Sequence, residues 1–190
     1  MNEHPLDLHG MPAAVELAPP HLDLHAVVVI PARDEAPRIT ACLHALASQH
    51  DMPVNSYEVI AILDGCRDNT LGVIQQTARL YEQLAIHTVI LPHPQGVGRA
   101  RRLGMDIACR RLMSLERPEG LIASSDADTT VAGDWLSVQL ALSRSGAAAI
   151  GGLIELDPTE RDTLDPQALA VRELGAATRL ALAVQQTAGG

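Results

Sequence analysis

Residues 26–31, AVVVIP, are apolar at every position and mostly β-branched. A strand with one wet face alternates polar and apolar side chains. An unbroken run of this kind therefore belongs to a strand covered on both faces, as in parallel sheets. The chain repeats the device: YEVIAILD (57–64), AIHTVILP (85–92) and GLIASSD (120–126) read as further strands, and AAAIGGLIEL (147–156) as a fifth.

Helical spacing lies between these runs. In EAPRITACLHALASQ, Ile39, Cys42, Leu43 and Leu46 fall at i, i+3, i+4 and i+7, and Pro37 suits a first helical turn. TLGVIQQTARLYEQL follows the second strand, with Asp68 or Asn69 placed to cap it. GVGRARRLGMDIACRRLM (96–113) follows the third and GDWLSVQLALSRS the fourth, where Trp135 reads as a core anchor. Strand and helix in alternation, with short connections, predict an α/β three-layer sandwich: a mostly parallel central sheet with helices on both faces.

With 190 residues, 47% of them hydrophobic, the chain can bury one sizeable core, which aliphatic side chains must build because aromatics are 2% and Phe is absent. Residues 1–23, acidic and proline-containing, read as a mobile tail and not as a signal peptide, since they lack a continuous apolar stretch. Residues 24–156 form the sheet domain, and 157–190 a helical C-terminal segment. No run reaches the roughly 18–20 apolar residues of a membrane span, so no transmembrane segment is expected and the expected location is cytoplasmic.

Composition removes several functions. A net charge of −9 argues against nucleic-acid binding, which needs clustered cations. All basic residues are Arg, and without lysine a Walker phosphate loop is excluded. Ser124 and Ser125 lack the GxSxG context of a serine hydrolase. Cys42, Cys66 and Cys109 are far apart and read as free thiols, and no histidine pair has metal-helix spacing.

In parallel sheets ligands bind beyond the carboxyl ends of the strands. The segments that follow the strands here are PARDE, DGCRD, PHPQG and DADT. They bring Asp34, Glu35, Asp64, Asp68, Asp126 and Asp128 to one rim. Asp68 reads as a helix cap, and Asp34 and Glu35 also suit the positive end of the following helix. Asp64 closes an apolar run just before a glycine. Asp126 and Asp128 alternate along an extended segment, so both can converge on one cation, and oxygen ligands of this type suit Mg²⁺ or Mn²⁺. Against this rim stands GVGRARRLG. Gly96 and Gly98 permit close backbone approach, the helix start offers free N–H groups, and Arg99 and Arg102 share a helix face toward an anion. The spacing is not the dinucleotide fingerprint.

VVVIPARDEAPRITACLHALASQ, YEVIAILDGCRDNT, GVGRARRLGMDIA and LIASSDADTTVAGDWL, in that order, resemble glycosyltransferase family 2, the inverting nucleotide-sugar transferases of GT-A fold. The resemblance covers residues 26 to 155 and identifies 24–156 with a GT-A nucleotide-sugar-binding domain. It implies that Pro31, Ala32, Arg33 and Glu35 lie against the nucleotide, and that Asp64 meets the base. Gly98, Arg99 and Arg102 would meet the diphosphate. Asp126 would serve the ribose and the metal shell, and Asp128 would hold Mg²⁺ or Mn²⁺. The implied partners are a UDP- or GDP-linked sugar and an acceptor hydroxyl of unknown identity. Leu63 and Cys66 depart from the family, which commonly has aspartate and serine there. No histidine follows His93 and no general base is evident, so the chain resembles the donor half of a longer enzyme, incomplete at its C-terminus. A binding module without catalysis is the alternative reading. A nucleotidyltransferase is disfavoured because PARDEAPR lacks the glycine-rich loop expected after the first strand.

Overall fold

The structure, a computed structural model, describes residues 17–155, and the chain divides into two units, Met1–Ile150 and Gly151–Gly190. The first unit contains β1 (Ala26–Ala32), α1 (Ile39–Ala47), β2 (Tyr57–Asp64), α2 (Thr70–Leu80), β3 (Ala85–Leu91), α3 (Val97–Ser114), β4 (Leu121–Ser124) and α4 (Trp135–Arg144). The strands run in the order β3-β2-β1-β4, and every pairing is parallel. Ala26 lies opposite both Tyr57 and Leu121, and Asp64 lies opposite Leu91.

Every residue of β1 and β2 is buried, as the apolar runs AVVVIP and VIAIL require, and β2 buries Glu58 and Asp64 as well. Their alternate side chains feed two cores. Val28, Ile30, Val59, Ala61 and Leu63 pack with Ile39, Cys42, Leu43 and Leu46 of α1, Ile74 of α2 and Leu136 of α4, and Trp135 packs half-buried against this cluster. Val27, Val29, Ile60 and Ile62 pack with Ala100, Leu103, Ile107, Ala108 and Leu112 of α3. These are the three layers. The chain winds outward through β1, β2 and β3 and then crosses back to β4 on the other side of β1. A switch point therefore lies between β1 and β4, where doubly wound sheets open a crevice.

Local details differ from expectation. α1 begins at Ile39, after a turn in which Arg38 and Ile39 both donate N–H groups to the Glu35 carbonyl, so Pro37 precedes the helix. The fifth strand expected over 147–156 does not form within residues 147–155, where Leu153 and Ile154 are exposed. Ala and Gly are weak strand formers, and Gly151 and Gly152 interrupt the run. Residues 17–23, expected to belong to a mobile tail, are tied down. Ala18 O accepts Arg111 Nη1 at 2.9 Å, and Arg117 donates to the carbonyls of Leu22 and Leu24 at 2.6 Å each. Charge-assisted bonds of this kind hold backbone carbonyls more firmly than neutral ones. Residues 1–16 and the helical segment expected over 157–190 lie outside the described residues.

Candidate functional site

Each strand of the switch point delivers a polar segment to the same crevice. β1 ends on the buried Pro31 and Ala32, after which Arg33 emerges and Asp34 turns back with φ 55°. Asp34 Oδ1 accepts the backbone N–H of Arg67 at 2.7 Å and that of Asp68 at 3.3 Å. Its carboxylate thus braces the β2–α2 loop, and the reading of Asp34 as a partner for the α1 dipole gives way to this one. The tie is reciprocal: Ala36 N donates to Asp68 Oδ2 at 3.0 Å, and Glu35 N to Thr70 Oγ1 at 2.9 Å. Asp68 Oδ1 also accepts the N–H of Thr70, the first residue of α2, at 3.0 Å, whereas Asn69 makes no side-chain cap bond. Hydrogen bonding from Thr70 holds the Asp68 carboxyl below its ordinary range. Asp34, Cys66 and Asp68 bring possible ligand atoms within 4.8 Å of one another. The carboxylate oxygens named above already accept backbone N–H groups, which explains their proximity without a cation.

Asp64 ends β2 with 2% exposure. Its Oδ1 accepts Gln95 N at 2.6 Å and its Oδ2 accepts Gly96 N at 2.8 Å. Gly96, at φ 91°, is the residue from which α3 starts, and the first turn of that helix leaves further N–H groups without intrahelical partners. A buried carboxylate with two amide donors is satisfied, yet it retains lone pairs for a third donor.

β4 gives way to Ser125, whose N–H donates to Val29 O at 3.2 Å. Ala127 is 3% exposed and sits in the core with Cys42 and Leu136, so the chain is anchored between two outward carboxylates. The side chains of Asp126 and Asp128 are 55% and 46% exposed. Behind them Cys42 Sγ donates to Asp126 O at 3.5 Å. Burial pushes the Cys42 thiol up to about 12, and the charges of Asp128 and Asp126 act in the same direction.

These segments enclose a cleft of about 430 Å³ lined by Pro31, Ala32, Arg33, Glu35, Asp64, Gly96, Val97 and the Asp126–Asp128 segment. Every residue singled out for the nucleotide and the metal lines this one cleft. Gly98, Arg99 and Arg102 do not. They follow its Gly96–Val97 wall on the exposed side of α3, and Arg102 lies 3.9 Å from Asp106. The α3 arginine that reaches the carboxylates is Arg101, which pairs with Asp126 through Nη2 and bonds Ser124 Oγ through Nε at 3.0 Å. Arg101 is three residues before Gly104 and seven before Ala108, both on the buried face of α3, and this spacing was its readable signal. Arg38 also reaches the pair, with Nη1 3.9 Å from Asp128 Oδ2. Its sequence carries no comparable signal, because it stands in an exposed turn ahead of α1.

Strand-end polar loops at the switch point of a doubly wound parallel sheet define the class of α/β domain in which ligands bind at the carboxyl edge. The chain belongs to glycosyl transferase family 2, whose sequence model matches residues 27–182. It is 30% identical over 129 residues to glycosyltransferase AglE of Haloferax volcanii, which covers 67% of this chain and 38% of AglE. Among solved structures, TarS 1–349 of S. aureus in complex with UDP superposes with a TM-score of 0.53 at 23% identity, covering 64% of this chain and 32% of that one. Mannosyltransferase PcManGT from Pyrobaculum calidifontis, in complex with GDP-Man and Mn²⁺, gives 0.52 at 21% identity, covering 67% and 34%. At these identities the structures establish the shared fold, which is the GT-A type. The chain spans well under half the length of these relatives.

Proposed function

We propose that this chain binds a nucleotide-diphosphate sugar, UDP- or GDP-linked, in the switch-point cleft and presents it for inverting transfer to an acceptor hydroxyl. The observation that carries the reading is the convergence of Pro31, Ala32, Arg33, Glu35, Asp64, Asp126 and Asp128 on one cleft of nucleotide size. Pro31 and Ala32 offer apolar wall for the base, and the remaining lone pairs of Asp64 accept its N–H groups. Asp126 serves the ribose hydroxyls and the edge of the metal shell. Gly98, Arg99 and Arg102 follow the Gly96–Val97 wall without lining the cleft, and would serve the diphosphate where it extends past the start of α3. The solved complexes of TarS with UDP and with UDP-GlcNAc, and of PcManGT with GDP-Man, support the donor class.

The donor set also fits Mg²⁺ or Mn²⁺. Asp128 offers an exposed carboxylate at the cleft, and Asp126 keeps Oδ2 available while Arg101 holds Oδ1. A bound cation would offset charge that develops on the diphosphate leaving group. Calorimetric titration with UDP- and GDP-sugars, with and without Mn²⁺, tests the reading. Absence of binding by either donor would overturn it, and binding indifferent to Mn²⁺ would remove the metal.

Donor binding without transfer is a second reading, favoured by a cleft lining whose assigned residues all serve the donor and its metal and none an acceptor. Release of free sugar or glycosylated product by the 190-residue chain, assayed with donor and Mn²⁺, separates the two.

A further inference from the structure

The cleft gathers four carboxylates, Glu35, Asp64, Asp126 and Asp128, against one lining guanidinium, Arg33. Asp64 is satisfied by backbone amides, but Asp126 and Asp128 lie close together and need other partners. Two arginines outside the lining supply them, one from each side of the sheet.

Arg101 is an anchored partner. Its Nη2 bonds Asp126 Oδ1 while its Nε donates to Ser124 Oγ at 3.0 Å, and that hydroxyl in turn donates to Val29 O of the central strand at 3.1 Å. Its side chain is 31% exposed. Arg38 is a tethered but looser partner. Its Nε and Nη2 each lie 2.9 Å from Glu35 Oε2, and its Nη1 only approaches Asp128 Oδ2, at 3.9 Å. Its side chain is 55% exposed. Arg38 therefore links a carboxylate from the end of β1 to one beyond β4, across the mouth of the cleft.

We propose that Arg38 is the resident counter-ion of Asp128 and is displaced from it when a divalent cation binds there, while Arg101 stays on Asp126. The inference rests on the metal reading given above. A guanidinium and a divalent cation on one carboxylate repel each other, so occupancy by one weakens the other. The Arg38–Asp128 contact is the weaker of the two arginine pairs, because it is longer and more exposed. After displacement, Glu35 still holds the other edge of the guanidinium, so Arg38 remains at the cleft mouth. There its unpaired N–H groups suit a phosphate, which an arginine can bind in bidentate fashion. Cation binding thus converts Arg38 from a partner of Asp128 into a cation available to the donor's diphosphate.

Mn²⁺ binding to the 190-residue chain, measured without nucleotide by the loss of the free-ion paramagnetic resonance signal, tests this. Arg38→Gln is expected to bind Mn²⁺ about 2- to 5-fold more tightly than the unsubstituted chain. Arg38→Lys, which keeps the charge, is expected to stay near the unsubstituted value. Arg38 is exposed and outside the cores, so circular dichroism should report unchanged folding in both. Equal or weaker Mn²⁺ binding by Arg38→Gln overturns the role of Arg38. If Asp128→Asn abolishes Mn²⁺ binding in that same experiment, the metal reading survives the failure. Mn²⁺ binding that persists undiminished in Asp128→Asn, or binding by none of the variants, overturns both.

Discussion

Asp64 Oδ2 accepts the backbone N–H of Gly96 at 2.8 Å, so a buried carboxylate at the end of β2 fixes the residue from which α3 departs. Oδ1 accepts Gln95 N in the same way at 2.6 Å. Asp64→Asn replaces one of these acceptors by an amide NH₂ donor that faces a backbone N–H donor. The variant should lose about 1–3 kcal/mol of stability, the cost of leaving a buried group unsatisfied. Donor affinity should fall with it, because Gly96 and Val97 form one wall of the cleft. Denaturant unfolding and donor titration on the same preparation check both. Unchanged stability would show that the carboxylate does not hold the start of α3.

Asp128 is expected to behave in the opposite way. Its side chain is 46% exposed and belongs to neither core cluster. Asp128→Ala should leave the unfolding midpoint within about 0.5 kcal/mol of the starting protein. In Mn²⁺, donor affinity should fall by about tenfold or more, since losses of that size already follow removal of groups that only orient metal ligands. Without metal the variant should bind donor no more weakly than the starting protein, since loss of Asp128 releases Arg38 and removes a negative charge from the cleft. Titrations in Mn²⁺ and in chelator provide the comparison.

The contrast between Asp64 and Asp128 also shows what a linear reading reaches. Both were legible as rim residues, because each stands where an apolar run ends and the run itself announces the strand. Their partners were not. Asp64 meets Gly96 across 32 positions, and Arg101 meets Asp126 across 25. Such contacts depend on the rotation of α3 about its axis, which the packing of Ala100, Leu103 and Gly104 on the sheet decides. Among Arg99, Arg101 and Arg102, spacing alone favoured the i,i+3 pair, whereas packing turned Arg101 toward the carboxylates. Within 147–155 the apolar run misled for a related reason: apolar composition marks a strand only where side chains can pack on a pleated surface, and Ala and Gly offer little.

Gly104 lies where α3 packs tightly against the sheet. A Cβ there would overlap Val29 Cγ1 and lie 3.1 Å from Ile62 Cγ1. Both neighbours are β-branched and fully buried, so neither can yield easily. Gly104→Ala should therefore destabilise the protein by about 1–3 kcal/mol, despite the better helix propensity of alanine. Chemical denaturation reads the difference, and a stabilised variant would contradict the close packing.

Glu58 anchors the sheet at the end opposite the cleft. Its carboxylate is 3% exposed, bonds Arg111 through both oxygens, with Nη2 to Oε2 at 2.7 Å, and lies 3.3 Å from His87 Nε2. Burial pushes its pKa up, but hydrogen bonds and charge from Arg111 and His87 outweigh that and leave it below the ordinary 4.5. A carboxyl depressed in the folded state contributes stability that is complete above its unfolded pKa and is lost as pH falls toward the folded value. The protein should therefore lose stability progressively below about pH 4.5. Glu58→Gln should lose about 3–5 kcal/mol at neutral pH, because Arg111 is left buried without its counter-ion, and should lose less than the parent on acidification. Unfolding followed at a series of pH values checks the two slopes.

Cys42 provides a probe of the loop that carries Asp126 and Asp128. Its thiol is buried beneath Asp126, and a pKa pushed up to about 12, chiefly by burial, leaves it protonated. The thiolate is the species that attacks a disulfide reagent, and at pH 8 a thiol of that pKa is only about 0.01% ionised. Exposed Cys109 should therefore react first with a disulfide reagent, half-buried Cys66 more slowly, and Cys42 only after unfolding. Asp128→Ala removes one of the charges that raise the Cys42 pKa, yet the larger cause, burial, remains. Cys42 should thus stay protected in that variant. Native-state labelling of Cys42 at a rate near that of Cys109 would mean that α1 and the Asp126–Asp128 segment separate readily. Slow labelling that Mn²⁺ slows further, followed residue by residue by mass spectrometry, would tie closure of this segment to cation binding.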